Sequence, residues 1–86
     1  MKVSNLTAFV DRENAFASIF NRPQLSLQNA SDRQRIADRL DSALSPENLH
    51  MDGEISAAEA GRKYRFLMGV AKELVSLDSS VKMYEF

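Results

Sequence analysis

The sequence contains no cysteine and no tryptophan, and its 86 residues include one histidine, three glycines and two prolines. Without cysteine there is no disulfide framework, no thiolate metal site and no thiol nucleophile. A single histidine, His50, is too few for a metal site built from several imidazoles. The glycines lie far apart, which excludes a glycine-rich phosphate-binding loop. We therefore expect a protein that is not an enzyme, with no catalytic residues and no cofactor.

The charge of the chain has no strong bias. The chain has 11 basic and 12 acidic residues, which give a net charge of −1. No overall electric field therefore attracts nucleic acid or a membrane surface. The apolar run that begins at Leu6 ends at Asp11, which makes it too short for a signal peptide or for the ~20 apolar residues of a membrane-spanning helix. We expect a cytoplasmic protein without membrane association.

The spacing of apolar residues predicts an all-α fold, a small bundle of about three helices. The helices are predicted at about 5–21, 32–44 and 57–77, and a turn-rich loop precedes the last and longest of them. A short extended or frayed tail is predicted at 79–86. All of these segments belong to a single helical domain over residues 1–86.

The predicted helices have recognisable ends. Pro23 stops the first helix, because the residue before a proline avoids the helical conformation. Ser31 and Gln34 have the spacing of a capping box at the start of the second helix. Residues 56–59 repeat that pattern before the third helix.

Each predicted helix has one apolar face. The faces of the first and third helices are wide, so a homodimer that buries the surplus apolar surface is a further prediction. The large apolar residues assigned to these faces include Phe9, Phe16, Phe20, Tyr64, Phe66 and Leu77.

The loop before the third helix differs in charge from the helix that follows it. Residues 45–56 contain the carboxylates Glu47, Asp52 and Glu54 and no lysine or arginine. Arg62 and Arg65 are predicted to be exposed near the start of the third helix. Because opposite charges side by side give an electrostatically complementary docking patch, we predict a protein–protein interaction module with these five residues as the partner-binding site.

The same loop also resembles an EF-hand calcium loop over residues 48–59. Calcium prefers oxygen ligands, and the second half of the loop supplies them. In the first half, Asn48 stands where aspartate is usual and His50 where aspartate or asparagine is usual, and an imidazole is a poor calcium ligand. A turn at residues 52–53 followed by a helix cap accounts for the same residues. Calcium binding stays an alternative, and its ligands would be Asn48, Asp52, Glu54, Ser56 and Glu59.

Two further alternatives come from short segments. Residues Gln24–Leu27 resemble the start of the peptide that binds the bacterial sliding clamp, but Gln28 and Asn29 stand where its next apolar anchor is expected. The basic residues of the third helix offer a weak nucleic-acid contact, although phosphate binding needs a clearer positive patch. These basic residues are Arg62, Lys63, Arg65 and Lys72.

Residues Leu44–Glu54 read LSPENLHMDGE and precede a basic, leucine-containing helix. This arrangement resembles small uncharacterised proteins of bacteriophages and prophages, in which an SPE-x-L-x-x-DGE segment precedes an Arg/Lys-rich helix. The resemblance covers about residues 42–77 and carries no known site residues. It implies a phage-encoded accessory protein that binds or inhibits a host bacterial protein in the host cytoplasm.

Overall fold

The computed structural model describes residues 4–45, 48 and 57–84. Within these residues the chain forms three α-helices and no strand: α1 (Asn5–Ile19), α2 (Ala30–Leu44) and α3 (Ala57–Leu77). Both α1 and α2 pack on α3, which is therefore the centre of the bundle. The predicted all-α fold is confirmed. None of the helices in the described ranges is both long enough and apolar enough to cross a membrane.

The first helix ends earlier than predicted. Asn21 adopts a positive φ of 54°, and Arg22 donates its N–H to the carbonyl of Ala17 at 2.7 Å. This is a Schellman end, in which a residue in the left-handed conformation satisfies the last carbonyls of the helix. Asparagine tolerates that conformation better than most residues. The helix therefore ends at Ile19 because of Asn21, and not because of Pro23.

The second helix begins earlier than predicted. Asn29 is its N-cap, and the Asn29 side chain accepts the N–H of Asp32 at 3.2 Å. The interpretation of Ser31 and Gln34 as a capping box is therefore wrong. The cap lies two residues upstream of Ser31, and the Gln34 side chain instead bonds to the C-terminal segment of the chain.

The core lies where α1 and α2 meet α3. Its fully buried large side chains are Ile36, Leu40, Val70 and Leu74. Phe9 is buried as predicted, but several other large apolar residues assigned to helix faces lie largely or partly exposed. Phe20 follows the end of α1 and so leaves its apolar face, and the rest lie at the edges of the faces. The exposed residues are Phe16, Phe20, Tyr64, Phe66 and Leu77.

Both outer helices run antiparallel to α3. At the start of α1, Leu6 donates its N–H to the Glu73 carboxylate at 2.7 Å. At the start of α2, the Arg33 guanidinium meets the carboxylate of Asp78, just beyond the end of α3, also at 2.7 Å. Because α1 and α2 therefore point the same way, the linker between them runs back along the bundle.

One side chain of α1 and two of α2 hold the linker, since Asp32 accepts the Ser26 N–H and Arg33 donates to the Leu27 carbonyl. Asn14 donates its amide N–H to the carbonyl of Leu25 at 2.9 Å and accepts the N–H of Leu25 at 2.7 Å. The extended backbone of the linker therefore has both of its hydrogen-bonding groups paired at this point, as it would in a sheet. The Leu25 side chain is buried in the core.

Candidate functional site

An apolar cleft of about 210 Å³ opens between α1 and α3, close to the end of α2. All three helices contribute to it. Its apolar lining consists of Phe9, Phe16, Ala43, Phe66 and Leu67, and its polar lining consists of Arg12, Glu13 and Lys63. We call this set of residues the α1–α3 cleft.

The periodicity of the two helices builds the cleft. Phe9 and Phe16 are seven residues apart, or two turns, and so lie on nearly the same side of α1. Phe9 is buried, whereas Phe16 is 47% exposed, so Phe9 forms the floor and Phe16 a wall. On α3, Leu67 is buried and the neighbouring Phe66 is half-exposed at the opposite wall.

The cleft has a cation at its rim. The Arg12 guanidinium lies over the ring of Phe16, 5.9 Å from its centroid. Among the described residues, the ion pairs are Arg33–Asp78, Arg35–Asp32 and Arg39–Glu13, and Arg12 takes part in none of them. A second arginine, Arg22, lies over the ring of Phe20 at 5.5 Å. This edge of α1 therefore combines exposed aromatic rings with positive charge.

The other two rim residues already have bonds. Glu13 faces Arg39 at 3.8 Å, and the Lys63 ammonium donates to the carbonyl of Asn48 at 3.3 Å. Arg12 is therefore the rim group best placed to meet a carboxylate from outside the chain.

Two wider depressions on the described surface each lie along a single helix. One is lined by residues 72–77 of α3 and the other by residues 35–42 of α2. Neither brings helices together around an apolar floor. Since binding sites are concave and mostly apolar with a few polar groups, the α1–α3 cleft is the better candidate.

The predicted partner-binding patch is only partly described. Glu47, Asp52 and Glu54 lie outside the described residues, so the acidic half of the patch stays a prediction. Arg62 and Arg65 are exposed on α3. The Arg65 side chain donates to the carbonyl of Gly61 at 3.3 Å.

The calcium alternative also falls mostly outside the described ranges. Asp52, Glu54 and Ser56 are not described, whereas Asn48 and Glu59 are exposed. The Asn48 amide donates to the carbonyl oxygen of Ser42 and so binds the last turn of α2. Within the described part of the chain no three acidic or histidine side chains cluster as metal ligands would.

The segment that resembles a clamp-binding peptide is built into the fold. Gln24 is exposed, but Leu25 is buried and Leu27 is half-buried against the core. An accessible peptide would need these two leucines as free anchors, and here both contact the bundle.

The basic residues of α3 do not share one face. Lys63 is half-buried and lines the α1–α3 cleft. Arg62, Arg65 and Lys72 are exposed. The exposed basic residues of the helix are therefore these three without Lys63, and the nucleic-acid contact stays a prediction.

Sequence reasoning missed Arg12, Phe16 and Phe66 as site residues. The two phenylalanines were assigned to the core because they continue apolar stripes at helical spacing. The available signal was the width of those stripes, which exceeds what one neighbouring helix covers.

Comparison of the chain with protein families, curated proteins and solved structures gives no match. No relative therefore suggests a partner or an activity. The shape and charge of the α1–α3 cleft are the features from which a function can be inferred.

Proposed function

We propose that this protein is a non-enzymatic interaction module that binds a partner protein through the α1–α3 cleft. The observation that carries the proposal is the pair of exposed phenylalanine walls, Phe16 and Phe66, around the buried floor of Phe9 and Leu67. Exposed aromatic walls around an apolar floor are costly to leave in water and are typical of interaction sites.

The cleft determines what the partner must offer. Its volume of about 210 Å³ suits one large apolar side chain, and buried anchors of this kind contribute most of the energy of many interfaces. Arg12 beside the cleft favours a carboxylate next to that anchor, since charge complementarity guides docking and excludes wrong partners. We infer a partner segment that carries a leucine, methionine or aromatic residue close to an aspartate or glutamate.

Two further considerations bear on the partner. Arg62 and Arg65 are exposed on α3, the helix that also supplies Phe66 to the cleft, and would add positive charge to that helix for an acidic partner. The resemblance of residues 42–77 to phage proteins favours a host bacterial protein as the class of partner. The arginines favour an acidic target, and the resemblance favours one in the bacterial cytoplasm.

The test compares two aromatic residues of matched exposure. Phe16 lines the cleft and is 47% exposed, whereas Tyr64 lies outside it and is 45% exposed. Tagged wild-type chain, Phe16→Asp, Arg12→Glu and Tyr64→Asp are used to capture proteins from a bacterial lysate, with circular dichroism confirming that each variant folds. We expect a protein that the wild type and Tyr64→Asp retain and that both cleft variants lose.

Two results would contradict the proposal. The first is that no captured protein shows this pattern of retention and loss. The second is that the wild-type chain sediments as a dimer that Phe16→Asp converts to a monomer, because the cleft would then be occupied by a second copy of the chain.

A further inference from the structure

The C-terminal segment after α3 lies on the surface of α2. A turn at Asp78–Ser80 reverses the chain, with the Val81 N–H donating to the Asp78 carbonyl at 3.3 Å. The Asp78 carboxylate accepts the Ser80 N–H at 2.9 Å. We call residues 81–84, which follow this turn, the tail.

Side chains of α2 hold the tail by its backbone. Gln34 donates to the Lys82 carbonyl at 2.9 Å and accepts the Lys82 N–H at 3.0 Å. Seven residues further along α2, the Asp41 carboxylate accepts the Tyr84 N–H, with both oxygens at 3.0 Å. All three tail groups belong to the backbone, so these bonds do not depend on which side chains stand at positions 82 and 84.

The side chains of the tail alternate between core and solvent. Val81 and Met83 are half-buried against the core, whereas Lys82 and Tyr84 point outward, with Tyr84 89% exposed. This period of two is that of an extended strand. The tail therefore binds α2 in the way that an extended peptide binds a recognition domain, with backbone bonds for affinity and alternate side chains for specificity.

We propose that the surface of α2 around Gln34 and Asp41 is a binding groove for extended peptides, which the tail of the chain itself occupies. Its ligand is a segment with two apolar side chains two residues apart, like Val81 and Met83, from a partner protein. The groove shares no residue with the α1–α3 cleft, so this inference does not depend on the function proposed for that cleft. The attached tail competes at an effective concentration in the millimolar range, and it thereby blocks weak ligands.

The experiment uses the full chain with a weakened tail. Val81→Ser combined with Met83→Ser removes the two apolar contacts of the tail and leaves α2 unchanged. The probe is a capped, fluorescently labelled peptide with the sequence of residues 79–84. We expect the peptide to bind the double variant at least tenfold more tightly than the wild type, in fluorescence anisotropy. The same peptide with both apolar residues changed to serine should not bind.

A second substitution tests the groove itself. In the double variant, Gln34→Ala removes both hydrogen bonds to the position equivalent to Lys82, and should weaken peptide binding about tenfold or more. Gln28→Ala, at an exposed glutamine of the linker, should leave binding unchanged. Absence of peptide binding, or equal binding with and without Gln34, overturns the proposal.

Hydrogen exchange on the wild-type chain gives an independent result that requires no variant to fold. If the tail detaches locally, the amides of Lys82 and Tyr84 exchange at least tenfold faster than the core amide of Leu40. If they exchange no faster than Leu40, the tail leaves α2 only when the whole protein unfolds. The groove would then be an ordinary part of the fold, and the proposal would be wrong.

Discussion

The Asn14 side chain provides the sharpest test of how this fold is held together. It pairs with both backbone groups of Leu25, at 2.9 and 2.7 Å, and so ties α1 to the linker that connects two helices pointing the same way. Replacing Asn14 with alanine removes both bonds and changes no residue of the hydrophobic core. The substitution therefore isolates the contribution of the amide.

The expected loss of stability in Asn14→Ala follows from the two hydrogen bonds and the burial of Leu25. Each hydrogen bond contributes about 1 kcal/mol net. Leu25 is 8% exposed, so its N–H and C=O cannot easily find water, and this desolvation adds about 1 kcal/mol. We expect Asn14→Ala to lower the free energy of unfolding by about 2–3 kcal/mol. In a domain of this size the melting temperature falls by about 4–8 °C for each kcal/mol.

Urea unfolding followed by circular dichroism measures this change, and Gln24→Ala is the matched control. Gln24 precedes Leu25 on the same linker and is exposed, so its truncation should change stability by less than about 0.5 kcal/mol. If Asn14→Ala is no more destabilising than Gln24→Ala, the linker is not held by the amide. The bonds that Asp32 and Arg33 make to the linker at Ser26 and Leu27 would then suffice to position it.

Two other predictions concern the ends and the interior of α3. Bonds from Ser80 and Arg33 lower the pKa of Asp78 from 3.8 to about 2. The stability that this carboxylate provides is therefore complete above about pH 4 and lost as the pH falls toward 2. Acid unfolding should show a shallower pH dependence over that interval in Asp78→Asn. Gly69→Ala should raise the free energy of unfolding by about 0.5–1 kcal/mol through helix propensity, because the added methyl group meets only the exposed Asn5 amide, at 3.3 Å. A lower melting temperature than wild type would show that Asn5 cannot move.

The helices could be predicted because the signals for them are local. Apolar residues at helical spacing lie within the segment that they describe, and Ile36, Ala37, Leu40 and Leu44 of α2 are buried as their spacing indicates. The boundaries were less accurate, and at the start of α2 the reason is that two short polar residues compete for the cap. Asn29 and Ser31 are both good caps, and only the course of the linker decides between them.

The contacts that fix the linker and the tail could not be predicted, and the reason is physical. Asn14 and Gln34 look like ordinary polar residues on the outer faces of helices, and their partners lie 11 and 48 residues away. A side-chain amide binds any backbone segment that presents one donor and one acceptor, so no residue type in the sequence identifies its partner.

The cleft could not be predicted from the sequence either, because Phe16 and Phe66 follow the same helical spacing as buried residues. Whether such a residue is covered depends on where the neighbouring helix ends, and α1 ends three residues after Phe16. A site formed by residues at the edges of packed helix faces therefore depends on the lengths of the helices and the angles at which they cross. The periodicity of a single helix gives no information about either.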